Sequence, residues 1–362
     1  MVDVIVVGAG LIGMLTAREL QQRGARVLLL ERGKAGGEST WAGGGILSPL
    51  YPWRYTDAVN VLAHYGHQAY PQIAEALLAE SGIDPEYTRS GMLILDQNEQ
   101  DAARGWVLRW HMQMDVLKAA ALREQEPALN SAVSSALWLP QIAQLRNPRL
   151  IKSVVGSLRH RNIVCMESAD VTALEIENNR VQGVRTAQTT FRADNVLIAG
   201  GAWSANIIKQ MTRPPQIQPV KGQMILFKGE PGMLKSMILS QGRYLIPRRD
   251  GRILAGSTLE YSAFDKSITD NALQDLRDAA ISLLPQLATL PVEHHWAGLR
   301  PGTHQGVPYI CQHPDIHGLY INSGHFRNGV ILGAASARLM AELISNTAPT
   351  IDPAFYSFDA SH

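Results

Sequence analysis

Residues 4–31 of the chain, VIVVGAGLIGMLTARELQQRGARVLLLE, predict a strand, a helix and a second strand in succession. Residues 4–7 are continuously apolar and β-branched, which is typical of a buried parallel strand. The apolar spacing becomes helical over residues 11–23, and Gly24 marks the end of that helix. Residues 26–30 predict another buried strand, so the stretch has the length and order of a strand–helix–strand crossover.

Three glycines in this unit form the pattern G-x-G-x-x-G, directly after the first strand and at the start of the helix. Gly8 permits a tight turn, Gly10 lets a pyrophosphate approach the backbone, and Gly13 allows the helix to pack closely on the strand. The amides of Leu11 and Ile12 lie at the helix N-terminus, where the helix dipole favours negative charge. The pattern therefore predicts a dinucleotide site.

Glu31 ends the second strand, where its carboxylate would accept hydrogen bonds from both ribose hydroxyls. A carboxylate at this position disfavours a 2′-phosphate and thus NADP. FAD and NAD share the glycine pattern, so the pattern alone does not choose between them. The following loop, GGESTWAGGGI at 36–46, is long and rich in small residues, so its backbone could lie against a flat ring and offer amides to it. A nicotinamide enzyme rarely needs such a segment, and the loop favours FAD.

Length, charge and cysteine content exclude several classes of protein. The 362 residues suggest about two domains. Because 33 Lys and Arg residues balance 32 Asp and Glu residues, there is no electrostatic reason to expect a nucleic-acid or anionic-membrane partner. Two cysteines do not make a disulfide scaffold and fit a reducing compartment. With no signal-peptide pattern and no bilayer-spanning apolar run, we expect a cytoplasmic protein without a membrane partner.

The rest of the chain alternates between helical and strand patterns. Helices are predicted at about 57–81, 99–126, 150–160, 270–284 and 330–344, and strands at about 92–95, 170–176, 181–186, 195–199, 223–227, 244–246, 253–256 and 319–322. Features of a dinucleotide-binding domain recur in the middle and at the end of the chain, with β-rich sequence inserted between them. We therefore expect domains that are discontinuous in sequence.

Five segments, in order, resemble the glycine oxidases of thiamin biosynthesis, within the FAD-dependent D-amino acid oxidase and sarcosine oxidase superfamily. They are the unit ending at Glu31, residues 39–46, AGGAWS at 199–204, GLRPGT at 298–303 and GHFRNG at 324–329. The resemblance covers nearly the whole chain, and the two C-terminal motifs are its most specific part.

The resemblance implies a mixed α/β fold with two domains. A Rossmann-like FAD-binding domain would comprise residues 1–75, 145–214 and 296–362, and an antiparallel-sheet substrate domain residues 76–144 and 215–295. It also implies non-covalent FAD and oxidation of glycine, sarcosine or small D-amino acids by O2 to the 2-oxo acid, ammonia or amine, and hydrogen peroxide. A homotetramer and a role in supplying glycine imine for thiazole formation are further implications.

Three residues are the candidates for substrate binding and catalysis. A small amino acid offers one strong handle, its carboxylate, and the planar guanidinium of Arg300, expected in a tight Leu-Arg-Pro-Gly turn, suits bidentate recognition of it. By the resemblance, Arg300 binds the carboxylate, the Tyr244 hydroxyl adds a hydrogen bond, and Arg327 lies near the substrate.

The motifs and the resemblance together also give the candidate cofactor residues. Amides around Asn328, Gly329 and Val330 would stabilise the negative charge of reduced FAD at the N-terminus of the last helix. The full set is Gly8, Gly10, Leu11, Ile12, Gly13, Glu31, Arg32, Ser39, Thr40, Gly44, Gly45, Ile46, Val171, His325, Phe326, Arg327, Asn328, Gly329, Val330 and Ile331. No metal site is expected, and Cys165 and Cys311 are interpreted as core residues.

The chain departs from the family at a few positions, and two other functions stay open. Ile46 stands where the family has a methionine near the flavin, and Gly242 and Leu259 replace other pocket residues, which puts the substrate profile in doubt. A D-amino acid dehydrogenase using another acceptor is one alternative, disfavoured by the lack of a membrane-seeking segment. A non-catalytic FAD-binding subunit is the other, disfavoured because such a subunit needs no carboxylate clamp of Arg300 and Tyr244.

Overall fold

The computed structural model of the protein describes residues 2–209 and 213–360. The α-helices are α1 (Leu11–Gln22), α2 (Ser39–Ala42), α3 (Asp57–Ser81), α4 (Gln100–Trp110), α5 (Ala119–Gln125), α6 (Asn147–His160), α7 (Ser204–Ile207), α8 (Asp270–Leu283) and α9 (Gly329–Ile344). The strands are β1 (Val4–Val7), β2 (Val27–Leu30), β3 (Met92–Ile94), β4 (Asp115–Lys118), β5 (Ser135–Leu139), β6 (Val164–Met166), β7 (Val171–Glu177), β8 (Arg180–Thr186), β9 (Thr190–Arg192), β10 (Asn195–Ile198), β11 (Gln218–Phe227), β12 (Met237–Ser240), β13 (Arg243–Pro247), β14 (Ile253–Gly256), β15 (Val292–Gly302), β16 (Tyr309–Gln312) and β17 (Leu319–Ser323).

A six-stranded sheet in the order β16-β17-β10-β1-β2-β6 forms the first half of the architecture. All neighbours in it are parallel except β16 and β17. Helices α1, α3, α6 and α9 cover one face, and a three-stranded sheet of β7, β8 and β9 covers the other. Burial on both faces explains why β1, β2 and β10 are continuously apolar. The predicted strand–helix–strand unit and Rossmann-like layer are confirmed.

An eight-stranded sheet in the order β15-β11-β14-β13-β12-β3-β5-β4 forms the second half. Its neighbours are antiparallel apart from the parallel pair β12 and β3. Helices α5 and α8 pack on one face. Because side chains alternate along a strand, Met224 of β11 and Tyr244 of β13 lie on the opposite face. The mixed α/β fold with a largely antiparallel second sheet agrees with the prediction.

The structure corrects two local predictions. Residues 99–126, predicted as mostly helical, contain β4 between α4 and α5. This short strand at the sheet edge owes its conformation to pairing with β5 rather than to a pattern of its own. Arg300 lies within β15, not in a tight turn, with Val220 opposite it. Pro301 is compatible with a strand there because β15 is the edge of the sheet.

The predicted domain bounds stay a prediction. Strand β15 runs across position 296, and residues 210–212, inside the predicted segment 145–214, lie outside the described residues together with residues 1 and 361–362. In the described part of the chain, no helix combines the length and the apolar character needed to cross a bilayer.

Candidate active site

One deep cleft runs from the carboxyl ends of β1 and β2 to the inner face of the eight-stranded sheet. It brings together every predicted site residue except Gly13 and Ile331. The predicted residues that line it are Gly8, Gly10, Leu11, Ile12, Glu31, Arg32, Ser39, Thr40, Gly44, Gly45, Ile46, Val171, Tyr244, Arg300, His325, Phe326, Arg327, Asn328, Gly329 and Val330.

The turn between β1 and α1 has the geometry that its glycines predict. Gly8 has a φ of +106°, and a Cβ atom there would lie 2.5 Å from the Ala199 carbonyl oxygen. A Cβ at Gly13 would overlap the Gly8 carbonyl, so Gly13 permits the packing of α1 behind the cleft. The Leu11 amide donates to Thr40 Oγ1 over 3.2 Å, so it is already engaged within the chain.

Glu31 is held firmly at the edge of this turn. Its Oε2 accepts a hydrogen bond from the Ala9 amide and its Oε1 accepts one from the Gly33 amide, both at 2.9 Å. Each carboxylate oxygen keeps lone-pair capacity for a further donor. The side chain is therefore fixed in place and still able to accept from ribose hydroxyls.

A cation–aromatic contact borders the same end of the cleft. The Arg32 guanidinium lies 3.7 Å from the ring centre of Trp203, and Arg32 Nη2 lies 3.0 Å from Glu38 Oε1. Trp203 also packs against Phe264, with 5.5 Å between ring centres. The motif AGGAWS thus contributes an aromatic wall that the sequence did not assign to a specific role.

The glycine-rich loop passes tightly against the start of α6. Gly45 has a φ of +76°, and a Cβ there would overlap the Leu145 carbonyl oxygen. Gly45 in turn accepts a backbone hydrogen bond from Leu145 over 2.9 Å. Glycine is therefore required at position 45 for this close approach.

The N-terminus of α9 forms another wall. Asn328 precedes the helix, and Gly329 and Val330 begin it, with no acidic residue in the first turn. His325 shares a 2.9 Å hydrogen bond between its Nε2 and Ser336 Oγ, and burial lowers its pKa to about 3. The His325 ring is neutral and held in place by Ser336. Ile331 is buried in the helical layer behind the cleft.

Arg300 and Arg327 give the opposite end of the cleft its charge. Arg300 donates from Nη1 to the carbonyl oxygens of Lys221 and Thr258, each at 3.2 Å, and from Nη2 to Ser257 Oγ at 2.8 Å. No carboxylate within residues 2–209 and 213–360 pairs with it. Desolvation lowers the pKa of Arg300 to about 10, and the nearby positive charge of Arg327 acts in the same direction. Arg300 therefore remains a cation at neutral pH, so this end can attract an anion.

Tyr244 lies beside this cationic end and is 7% exposed. Two glycines inside strands make room for the functional side chains. A Cβ at Gly222 of β11 would overlap the Arg300 guanidinium, and a Cβ at Gly256 of β14 would lie 2.8 Å from Tyr244 Oη. Neither glycine is among the predicted site residues, although a glycine within a strand is a signal of close approach.

Several residues fall outside the expected site. Gly242 forms the turn between β12 and β13 and donates its amide to Tyr51 Oη, while Leu259 is 43% exposed, and neither lines the cleft. Cys165 and Cys311 also lie away from it. Burial raises their pKa values to about 11 and about 12, consistent with unreactive thiols.

Unsatisfied polar atoms test whether the cleft suits FAD. Asn147 Oδ1, Asn322 Oδ1 and Asn328 Nδ2 are buried without a hydrogen-bond partner in the described structure, and all three residues line the cleft. Buried polar atoms are normally bonded, so these point to a polar ligand. Together with the glycine turn for a pyrophosphate and Glu31 for a ribose, they fit a flavin dinucleotide.

Comparisons with known proteins agree with this geometry. The family model described as FAD dependent oxidoreductase matches residues 3–343. The chain is 46% identical to the glycine oxidase of Pseudomonas aeruginosa over 98% of both sequences. The crystal structure of glycine oxidase from Bacillus cereus is similar with a TM-score of 0.89 and 30% identity, covering 96% of this chain and 95% of that one. The bifunctional protein ThiO/ThiG of Trichormus variabilis is 28% identical to the chain in the aligned region. That region covers 94% of this chain and 52% of the bifunctional protein.

Proposed function

Since the chain belongs to the family of FAD dependent oxidoreductases, we propose that it is an amine oxidase of the glycine oxidase type. Its substrates are glycine, sarcosine and small D-amino acids, and its products are the 2-oxo acid, ammonia or amine, and hydrogen peroxide. The observation that carries the proposal is the Arg300 guanidinium, which lines the cleft with only neutral hydrogen-bond partners. The resemblance in sequence to a glycine oxidase over nearly the full length supports it.

The substrate carboxylate binds between the two arginines. Both Nη1 hydrogens of Arg300 are directed at carbonyl oxygens, whereas only one Nη2 hydrogen is engaged, by Ser257. The second Nη2 hydrogen and the guanidinium of Arg327 remain for the carboxylate, and the Tyr244 hydroxyl adds a neutral donor. This clamp fixes the α-carbon and amine of a short substrate relative to the cofactor.

The chain's own residues would hold the cofactor at one end of the cleft and the substrate at the other. Glu31, the Gly8–Ile12 turn, residues 43–46 and the N-terminus of α9 would hold FAD. When bound, FAD supplies the two-electron acceptor for the amine and the route of those electrons to O2. The described carboxylates that line the cleft are Glu31, Glu38 and Asp170, none of which pairs with Arg300, and His325 is engaged by Ser336. The amine therefore binds as its neutral free base, and its own lone pair drives imine formation.

An oxygen-electrode assay tests the proposal. The purified holoprotein is offered glycine, sarcosine, D-alanine, D-proline and D-phenylalanine, with peroxide measured in parallel. We expect oxygen uptake and peroxide with the small amines and little with D-phenylalanine. Dye reduction by D-amino acids without oxygen uptake would support the dehydrogenase alternative, and no turnover of any amine would support a non-catalytic subunit.

We also propose that the product imine supplies thiazole formation in thiamin biosynthesis. The resemblance to one half of a bifunctional ThiO/ThiG protein supports this placement. Complementation of a thiamin auxotroph lacking its glycine oxidase tests it. Growth without thiamin is expected from the wild-type gene and not from an Arg300→Ala variant.

A further inference from the structure

A second buried arginine lies directly behind the cleft. Arg248 follows β13 and is 8% exposed. Its Nη1 donates to Gln144 Oε1 at 2.7 Å and to the Leu145 carbonyl at 3.0 Å, and its Nη2 donates to the Gly44 carbonyl at 2.7 Å. All of these acceptors are neutral. Burying a cation against dipoles alone is costly, so its charge requires an explanation.

The charged groups around Arg248 do not neutralise it by contact. Desolvation and the charge of Arg146 lower its pKa, to about 10, while Glu86, Asp250 and Tyr244 act in the opposite direction. Glu86 and Asp250 both pair with Arg146, at 3.4 and 2.8 Å. Glu86 also pairs with Arg149, and Asp250 with Arg252. Arg248 is therefore a cation at neutral pH whose field reaches the cleft.

The contact with Gly44 orients one peptide group of the cleft wall. The C=O and N–H of a trans peptide point in opposite directions, so the Gly45 N–H points away from Arg248. In the described chain this N–H has no acceptor, while Gly44 and Gly45 both line the cleft. Gly44 also lies beside Tyr244, since a Cβ there would be 3.4 Å from Tyr244 Cε2. The oriented peptide therefore belongs to the end of the cleft opposite Glu31.

We propose that Arg248 is a positioning residue that fixes the Gly44–Gly45 peptide and raises the reduction potential of the bound cofactor. The inference rests on the proposed function in requiring FAD in this cleft. With Glu31 and the glycine turn at the adenosine end, the flavin of a bound FAD would lie at the Tyr244 end. FAD gains negative charge on reduction. A fixed cation behind a peptide of the cleft wall, whose N–H points away from that cation, would stabilise the added negative charge without reorganisation.

Two variants of Arg248 separate its charge from its hydrogen bonds. Arg248→Gln removes the charge and keeps a donor, whereas Arg248→Lys keeps the charge and loses the fork. Arg249→Gln is the matched control, because the neighbouring side chain is exposed and pairs with Asp84. The midpoint potential of FAD in each holoprotein is measured by anaerobic dye equilibration. The measurement needs no amine, so its outcome is independent of whether glycine is the substrate.

We expect a lower potential in Arg248→Gln and wild-type potentials in Arg248→Lys and Arg249→Gln at neutral pH. With glycine, reduction of FAD in Arg248→Gln should slow about tenfold or more while KM stays close to wild type, because Arg300 is untouched. A wild-type potential in FAD-loaded Arg248→Gln would overturn the proposal and leave Arg248 a structural residue.

The lysine variant also covers the case in which Arg248→Gln does not fold. A buried lysine loses its proton at lower pH than a buried arginine. The potential of Arg248→Lys should therefore fall more steeply with rising pH than that of the wild type. Parallel pH dependences in the two proteins would contradict a role for the charge.

Discussion

Arg300 donates from Nη2 to Ser257 Oγ over 2.8 Å, and this neutral hydroxyl takes the place that a carboxylate would occupy in an ordinary ion pair. Arg300 lies in β15, and Ser257 directly follows β14. Strand β11 lies between these two strands in the sheet. Ser257 therefore orients the guanidinium without consuming its charge. The charge therefore stays available for an anionic ligand.

Replacing Arg300 with Ala should lower kcat/KM for glycine by about a hundredfold or more, since removing one partner of a buried charge pair costs roughly 3 kcal/mol. Arg300→Lys should recover only part of this loss, because an ammonium lacks the planar fork. Steady-state oxygen uptake measures kcat/KM for each variant. The absorbance spectrum measures the FAD content, which should not change. An Ala variant with wild-type efficiency would remove Arg300 from the site.

Gly222→Ala should reproduce much of the Arg300 defect although residue 222 itself has no functional group. Its Cβ would overlap the Arg300 guanidinium, which must then leave its present position. We expect a raised KM for glycine with FAD content retained. Gly105→Ala, in α4 with no atom within 4 Å of the added Cβ, is the matched control and should behave as wild type. Equal KM values in the two variants would show that Arg300 tolerates the methyl group.

Replacing Glu31 with Ala should weaken FAD binding more than it slows the enzyme that retains FAD. The carboxylate accepts from the Ala9 and Gly33 amides, and its remaining lone pairs would accept from ribose. Loss of hydrogen bonds to a charged acceptor costs about 1.5–3 kcal/mol, which raises the Kd for FAD about tenfold or more. Fluorescence titration of the apoprotein measures this Kd, with Glu124→Gln at an exposed position of α5 as the control. An unchanged Kd would show that Glu31 does not contact the cofactor.

The sequence predicts those elements whose conformation depends on residues close by in the chain. The turn at Gly8 and the apolar strands β1 and β2 are set by nearby residues, so the local sequence pattern is enough to predict them. The position of Arg300 beside Ser257, by contrast, depends on pairing between strands far apart in sequence. For the same reason no local pattern marked Arg248. The roles of individual site residues, the tetramer and the cytoplasmic location stay predictions.

Glu80 joins three helices of the layer that supports the cleft. Near the end of α3, it accepts from Arg18 of α1 at 3.0 Å, from Arg161 at 2.9 Å, and from Ser157 of α6. Desolvation raises the pKa of Glu80, but the hydrogen bonds from Arg161 and Ser157 and the two arginine charges outweigh it and lower the pKa to about 2. Because the unfolded chain titrates near 4.5, this stabilisation is complete above that pH and is lost as the pH falls toward 2. It amounts to about 3 kcal/mol at neutral pH.

Glu80→Gln should therefore lower the Tm of the FAD-saturated protein clearly at pH 7 and progressively less at pH 4 and 3. Glu75→Gln, on an exposed position of the same helix, should leave Tm unchanged throughout. A Tm difference between wild type and Glu80→Gln that stays constant from pH 7 to pH 3 would contradict the assignment of this acid sensitivity to Glu80.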